Sequence, residues 1–460
     1  MYQVDKDAEL NAALIKDAID FCEKQRKRYD MLDAYYGGRH NIFDRKKPDD
    51  VLMNNQLMTN HAKYITDVAT GYLLGNPVDY QVNDEYDIEP ILDEYKHQTM
   101  ENIDVEIAKE CSIFGHKYEY IYSDESARPC SVTLDVRNTL IIYDNTMVHN
   151  KVAGLNYRPV FKDNKSKTPD HYEIIVGTKT EIIKFELNNS SLKEISREPH
   201  FFGEVPFIEY KNNGELQGDF EPVISLIDAY NLIQSDRVND REQLVDAILC
   251  FYGMAFDADQ MTELKIHRAI SNIPKDGKIE YLTKAINEGD VDVLRKTIEQ
   301  DIHKVSMVPN MSDENFVGNA SGVALRYKLL TFEQMVKNKE RFFEKSLMER
   351  FHLYNNFLIR KSKMSEVPVE EVDAVFKRNL PSNDFETSQM ILNLRGIVDD
   401  ELLVSQLSFV DDASETVRIA KEEAGKENAD DEYNSANFGK GVGDMNDTNM
   451  PAEEDVTSEE

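Results

Sequence analysis

Apolar positions in the first part of the chain follow helical spacing, broken by two glycine-marked stops. Leu10, Leu14, Ala18 and Phe21 recur at three and four and predict a helix that Gly37-Gly38 ends. A second helix is capped by Thr59 or Asn60, has Ile65, Val68 and Tyr72 on one face, and stops at Gly75-Asn76-Pro77. Val78, Tyr80 and Val82 then alternate as a half-buried strand. Helical patterns return over 88–95 and 103–111. From Gly115 the period becomes two, with Tyr118, Tyr120 and Tyr122 on one side, and short strands follow to about residue 210. Polar turns at 163–169 and 188–191 separate them.

The remainder reads as mainly helical. A helix over 221–249 has Pro222 in its first turn, where a missing N–H costs nothing. After an insert at 250–290, Val291, Leu294, Ile298, Ile302 and Val305 form an apolar stripe that Pro309 closes. A polar loop leads into a helix over 322–362, on which Val336, Phe343, Leu347, Phe351, Tyr354 and Leu358 repeat at three, four or seven. Such a helix runs roughly 60 Å, a length that belongs to coiled coils or assemblies. A strand over 372–376 and helices over 384–394 and 399–410 follow. The fold class is α+β, predominantly helical.

Charge changes what this body can do. The chain has 53 basic and 86 acidic residues, a net of -33. Tight duplex binding comes mainly from cations that neutralise phosphates, so this chain does not cling to DNA, and anionic lipid is no better a partner. Eleven acids against one base follow Lys426, which predicts a disordered tail over 427–460; the rest still has 75 acids and 52 bases. The four cysteines are far apart and read as buried thiols in a reducing compartment. The start has no secretory pattern, and the apolar run 247–256 is too short to span a bilayer. A cytoplasmic product is expected.

No catalytic constellation is evident. Gly439-Lys440-Gly441-Val442-Gly443 lacks P-loop spacing, the histidines form no zinc pattern, and a nucleophile elbow is missing. N-x-[ST] triplets at Asn188, Asn189 and Asn319 have no role in a chain that is not secreted. No cofactor, metal or enzymatic activity is expected.

Four stretches resemble the portal proteins of Gram-positive siphophages. The first runs from Tyr35-Tyr-Gly-Gly-Arg-His40 through Asn54-Asn-Gln-Leu-Met-Thr-Asn60 to Thr70-Gly-Tyr-Leu-Leu-Gly-Asn-Pro-Val78. The second is Val205-Pro-Phe-Ile-Glu-Tyr-Lys-Asn-Asn213, with Ile227-Asp-Ala-Tyr-Asn231 and the segment 235–239 after it. The third is Gly318-Asn-Ala-Ser-Gly-Val-Ala-Leu325; the fourth is Leu380-Pro-Ser-Asn-Asp384 with Leu394-Arg-Gly-Ile-Val398. Any one is weak, but they occur in the family's order.

The resemblance implies a ring of about twelve subunits at a capsid vertex. Its regions would be a wing (1–220), stem helices (221–249 and 291–311), a clip (250–290), a tunnel loop (312–322), a spine helix with its return to the wing (323–383), and a crown (384–426). Double-stranded DNA would pass through without sequence preference. Partners would be further copies of the chain, the terminase large subunit, the major capsid and scaffolding proteins, and a head-completion or adaptor protein, with assembly in the host bacterial cytoplasm and no membrane. Asp228, Ser235, Asn239, Glu242 and Asp246 share one helix face and suit either a channel lining or a solvated outer surface. In the tunnel loop, Asn315, Phe316, Val317, Gly318 and Asn319 offer DNA contacts without positive charge. Lys265, His267, Arg268, Lys275 and Lys278 suit terminase or adaptor docking, or a solvated face. On the spine, Arg326, Lys328, Lys337, Lys339, Arg341, Lys345 and Arg350 suit pairing with acids of a neighbouring subunit better than phosphate binding. The alternative is another capsid or head–tail structural protein without a DNA channel. A nucleic-acid enzyme would need a catalytic cluster that is not seen.

Overall fold

The computed structural model describes residues 1–421 except 7, 47–52, 84, 164, 167, 189–190, 246–247, 254–276, 283–287, 313–321, 379–383, 408–409, 411–412 and 415. They fall into two compact units, Met1–Asn379 and Leu380–Glu460.

In the first unit, β1 (Tyr2–Val4) precedes α1 (Ala12–Tyr36). The Asn11 side chain accepts the N–H groups of Ala13 and Leu14, each at 3.0 Å, so α1 begins at Ala12, two residues after the Leu10 that opens the predicted pattern. Its buried stripe is Ile15, Ala18, Cys22, Tyr29, Leu32 and Tyr35. Leu10, Leu14 and Phe21 are only half-buried. Asn60 caps α2 (His61–Leu74) by accepting the Lys63 N–H at 2.9 Å. After β2 (Asp79–Val82) come α3 (Glu89–His97) and α4 (Met100–Phe114). Gly115 ends α4 at φ +89, and a Cβ there would lie 2.0 Å from the Leu216 carbonyl oxygen, so only glycine fits.

Strands β3 (His116–Ser123), β4 (Pro129–Leu134), β5 (Thr139–Asp144), β6 (Lys151–Val160), β7 (His171–Gly177), β8 (Glu181–Asn188), β9 (Ser191–Pro199) and β10 (Phe207–Lys211) form two sheets. One has the order β1-β5-β6-β7-β8-β9, the other β10-β3-β4. Phe207 joins them. Its ring fills the space left by Gly154 on β6, where a Cβ would come within 2.1 Å of Phe207 Cγ.

The second half is built on long helices. A 3-10 turn at Glu221–Val223 leads into α5 (Ile224–Val245). The helix read over 221–249 therefore ends early, because the apolar run of β11 (Ile248–Tyr252) pairs antiparallel with β12 (Lys278–Leu282). Then α6 (Glu288–Ser306) packs beside α5. Its predicted stripe divides: Ile302 is buried, but Leu294 is 52% and Val305 48% exposed. Helix α7 (Gly322–Arg360) has 39 residues and buries Phe332, Val336, Phe343, Leu347, Phe351, Tyr354 and Leu358. The chain then returns through β13 (Val372–Val375), antiparallel to β2.

The second unit contains α8 (Asp384–Leu394), a turn at Gly396 with φ +81, and α9 (Asp400–Val404). The helix expected over 399–410 stops at Val404.

Candidate functional site

Two of the stretches that carry the family resemblance, the first and the second, meet at one polar seam. Along α5, Asp228, Asn231, Ser235, Asn239 and Glu242 recur at three and four. Residues 53–60, neither helix nor strand, lie across them as a strap. The Asn55 N–H donates to Asn239 Oδ1 at 2.8 Å, the Leu57 N–H to Ser235 Oγ at 2.9 Å, and the Thr59 N–H to Asn231 Oδ1 at 2.8 Å. Every second strap residue thus meets every fourth helix residue. The two periods match, since four helical residues advance about 6 Å and two extended residues about 6.6 Å. Helix side chains thereby serve as the acceptors that a neighbouring strand would otherwise supply.

The strap's other edge is also tied down. Asn54 Nδ2 reaches the Arg45 carbonyl at 3.2 Å, and Gln56 Nε2 reaches the same oxygen at 3.0 Å. At the seam's end, Tyr35 Oη donates to both Asp228 oxygens at 2.8 Å and Asn41 Nδ2 donates at 3.0 Å. Burial raises the Tyr35 hydroxyl's pKa, and its bond to the Asp228 carboxylate adds to the rise. His40 Nε2 donates to the Tyr35 carbonyl at 2.9 Å, and its Nδ1 faces Asn231 Nδ2 at 3.0 Å, an arrangement that needs neutral imidazole. Burial favours that form by lowering the pKa of His40.

This geometry corrects part of the channel reading. Ser235 is 0% and Asn239 2% exposed, and both bond to the chain's own strap, so neither lines a bore. Asp228 is half-buried and taken up by Tyr35 and Asn41. Glu242 is exposed, with Asn55 Nδ2 at 2.5 Å from its carboxylate. Asp246, the loop Asn315, Phe316, Val317, Gly318 and Asn319, and Lys265, His267, Arg268 and Lys275 lie outside the described residues. Lys278 is exposed on β12 and paired with Glu280.

Two spine cations are likewise internal. Arg350, with no exposure, lies 2.6 Å from Asp104 and 2.9 Å from Glu119. Tyr210 Oη donates to Glu119 at 2.7 Å. Burial pushes the Asp104 carboxyl up to about 6 against the pull of Arg350. Lys339 is buried against Asp219. These pairs bind α7 to α4, to β3 and to the approach to α5, so their acids come from the same subunit. Spacing held the signal: Arg350 falls between Leu347 and Tyr354, and Lys339 between Val336 and Phe343, on the apolar stripe. Among the described residues no group of three or more His, Cys, Asp and Glu is placed to hold a metal ion, and no helix is long and apolar enough to cross a membrane. Among the described residues no disulfide joins any of the four cysteines.

The profile of the family described as phage portal protein, SPP1 Gp6-like, matches residues 16–429. The chain belongs to this portal family. It is 25% identical over 393 residues to the portal protein of Bacillus phage SPP1, covering 82% of this chain and 77% of the relative. It is 22% identical over 432 residues to the portal protein of Clostridium phage phiCD119, covering 86% and 93%. A phage portal protein is a structural component of the virion, not an enzyme. The match begins within α1 and includes strap, seam and spine.

Proposed function

We propose that the chain forms a dodecameric ring at one capsid vertex, the channel for double-stranded DNA during packaging and ejection. The reading rests on the family match through residues 16–429, which takes in the whole helix–hairpin–helix series α5, β11, β12, α6. Residues 1–220 serve as wing, 221–249 and 291–311 as stem, and 250–290 as clip. The tunnel loop is 312–322, 323–383 supply the spine and its return, 384–426 the crown, and 427–460 an acidic tail. The clip and its cations dock the terminase large subunit and then an adaptor protein. Other faces meet the major capsid and scaffolding proteins during assembly in the host cytoplasm.

Symmetry supplies the mechanism. One exposed acid near the axis becomes a ring of charge; of the stem residues named, Glu242 is the described one left for that role. Such a ring repels a duplex carrying one phosphate charge per roughly 1.7 Å. Screening over roughly 8–10 Å keeps the repulsion local. DNA is then centred without a trap that the motor would have to pull it from. Asn315–319 of the tunnel loop contact DNA sterically. Negative-stain images of the purified full chain test this reading: rings with a central hole support it, and a monomer at every concentration overturns it.

A further inference from the structure

The β5–β6 tip and the adjoining groove along α7 together form a surface with exposed apolar side chains, a positive-φ residue and exposed cations. Met147 is 99% and Val148 77% exposed. Their loop is nonetheless well held: the Asp144 carboxylate accepts from Thr146 Oγ1 at 2.6 Å, the Asn150 N–H at 2.9 Å and Asn150 Nδ2 at 2.9 Å, while His149 takes φ +54. Two apolar side chains are thus projected into water by a preorganised turn. Beside them lies a groove of about 930 Å³ lined by Val148, β10 and α7. Lys151 and Lys179 in it are paired, with Glu349 and Glu204, each at 2.6 Å. Lys345 is exposed in the groove, and Arg341 is exposed one turn before it; among the described residues neither forms an ion pair. Like charges four apart on a helix repel.

We infer that this surface is the socket for a second copy of the chain, whose α3–α4 face enters it; this rests on the ring reading above. That face has the complementary chemistry: Asp93 and Glu101 are exposed without an ion pair among the described residues, and Val105, one turn from Glu101, is 40% exposed. Its position on the same chain also fits. Arg350 turns toward α4 and Lys345 into the groove, about 140° apart around α7 at 3.6 residues per turn. A closed ring requires such a heterologous contact, made by two different patches of each subunit. The cations and acids steer and register the contact, and Met147 and Val148 supply desolvated apolar area at its edge.

The test is ring formation by the full chain against concentration, read by light scattering and native mass spectrometry. Arg341→Glu with Lys345→Glu should raise the concentration needed for rings about tenfold or more. Asp93→Lys with Glu101→Lys should do the same, and the four changes together should restore assembly. Met147→Ser with Val148→Ser, which alters only exposed side chains, should weaken rings while leaving the melting temperature of the monomer unchanged. Rings at the normal concentration in the first pair, or no recovery in the combined variant with a normal circular-dichroism spectrum, overturn the socket while leaving the ring reading intact. Failure of the unaltered chain to form rings overturns both.

Discussion

Ser235 Oγ accepts the Leu57 backbone N–H at 2.9 Å, with Ser235 wholly buried. Ser235→Ala removes the acceptor and leaves that N–H unpaired in the seam. The expected loss is about 1–3 kcal/mol in chemical denaturation, with a similar loss for Asn239→Ala. A loss below about 0.5 kcal/mol in both would mean that the strap does not depend on this ladder.

Arg350 is held between Asp104 and Glu119 with no exposure. Arg350→Met leaves two buried acids without their cation and should cost about 3–5 kcal/mol. Arg341→Met, on the exposed side of the same helix, should change monomer stability by no more than about 0.5 kcal/mol. Comparable losses in the two variants would contradict the internal role assigned to Arg350.

Gly154 leaves room for the Phe207 ring between the two sheets. Gly154→Ala should destabilise by about 1–3 kcal/mol through overpacking. Combining it with Phe207→Leu should recover part of the loss, a coupling that a double-mutant cycle measures directly. Strict additivity would show that the two positions do not compete for space.

Glu209 sets an acid limit on stability. Burial pushes its carboxyl up, but the bond from His116 Nδ1 at 2.9 Å, the charge of His116 and nearby Lys211 outweigh this and hold it at about 2. A carboxyl lowered on folding stabilises above its unfolded pKa, and that contribution fades as pH falls toward the folded value. Unfolding free energy should therefore drop between about pH 4.5 and 2, by on the order of 3 kcal/mol from this group. Glu209→Gln should flatten that limb, so the gap between variant and parent narrows as pH falls. A gap that is constant over this range would assign the acid limb to other groups.

Helix boundaries with a local cap were legible in the chain, because Asn60 and Gly115 act on neighbours within a few residues, whereas the ends of α5 and α9 were not. The alternation of the strands and the great length of α7 were legible for the same reason, as was the family order of the motifs. The sidedness of the stem helix was not. Spacing places Asp228, Ser235, Asn239 and Glu242 on one face, but what covers that face comes from residues more than 170 positions earlier in the chain. Arg350 and Lys339 show the intermediate case. Their apolar-stripe positions announce burial, yet the acids that make burial tolerable, Asp104, Glu119 and Asp219, lie on other elements. The sequence by itself determined the elements, the acidic balance and the family. Tertiary structure decided which polar groups face inward, because a buried donor or charge must find its partner wherever the folded chain brings one, and local periodicity does not say where that is.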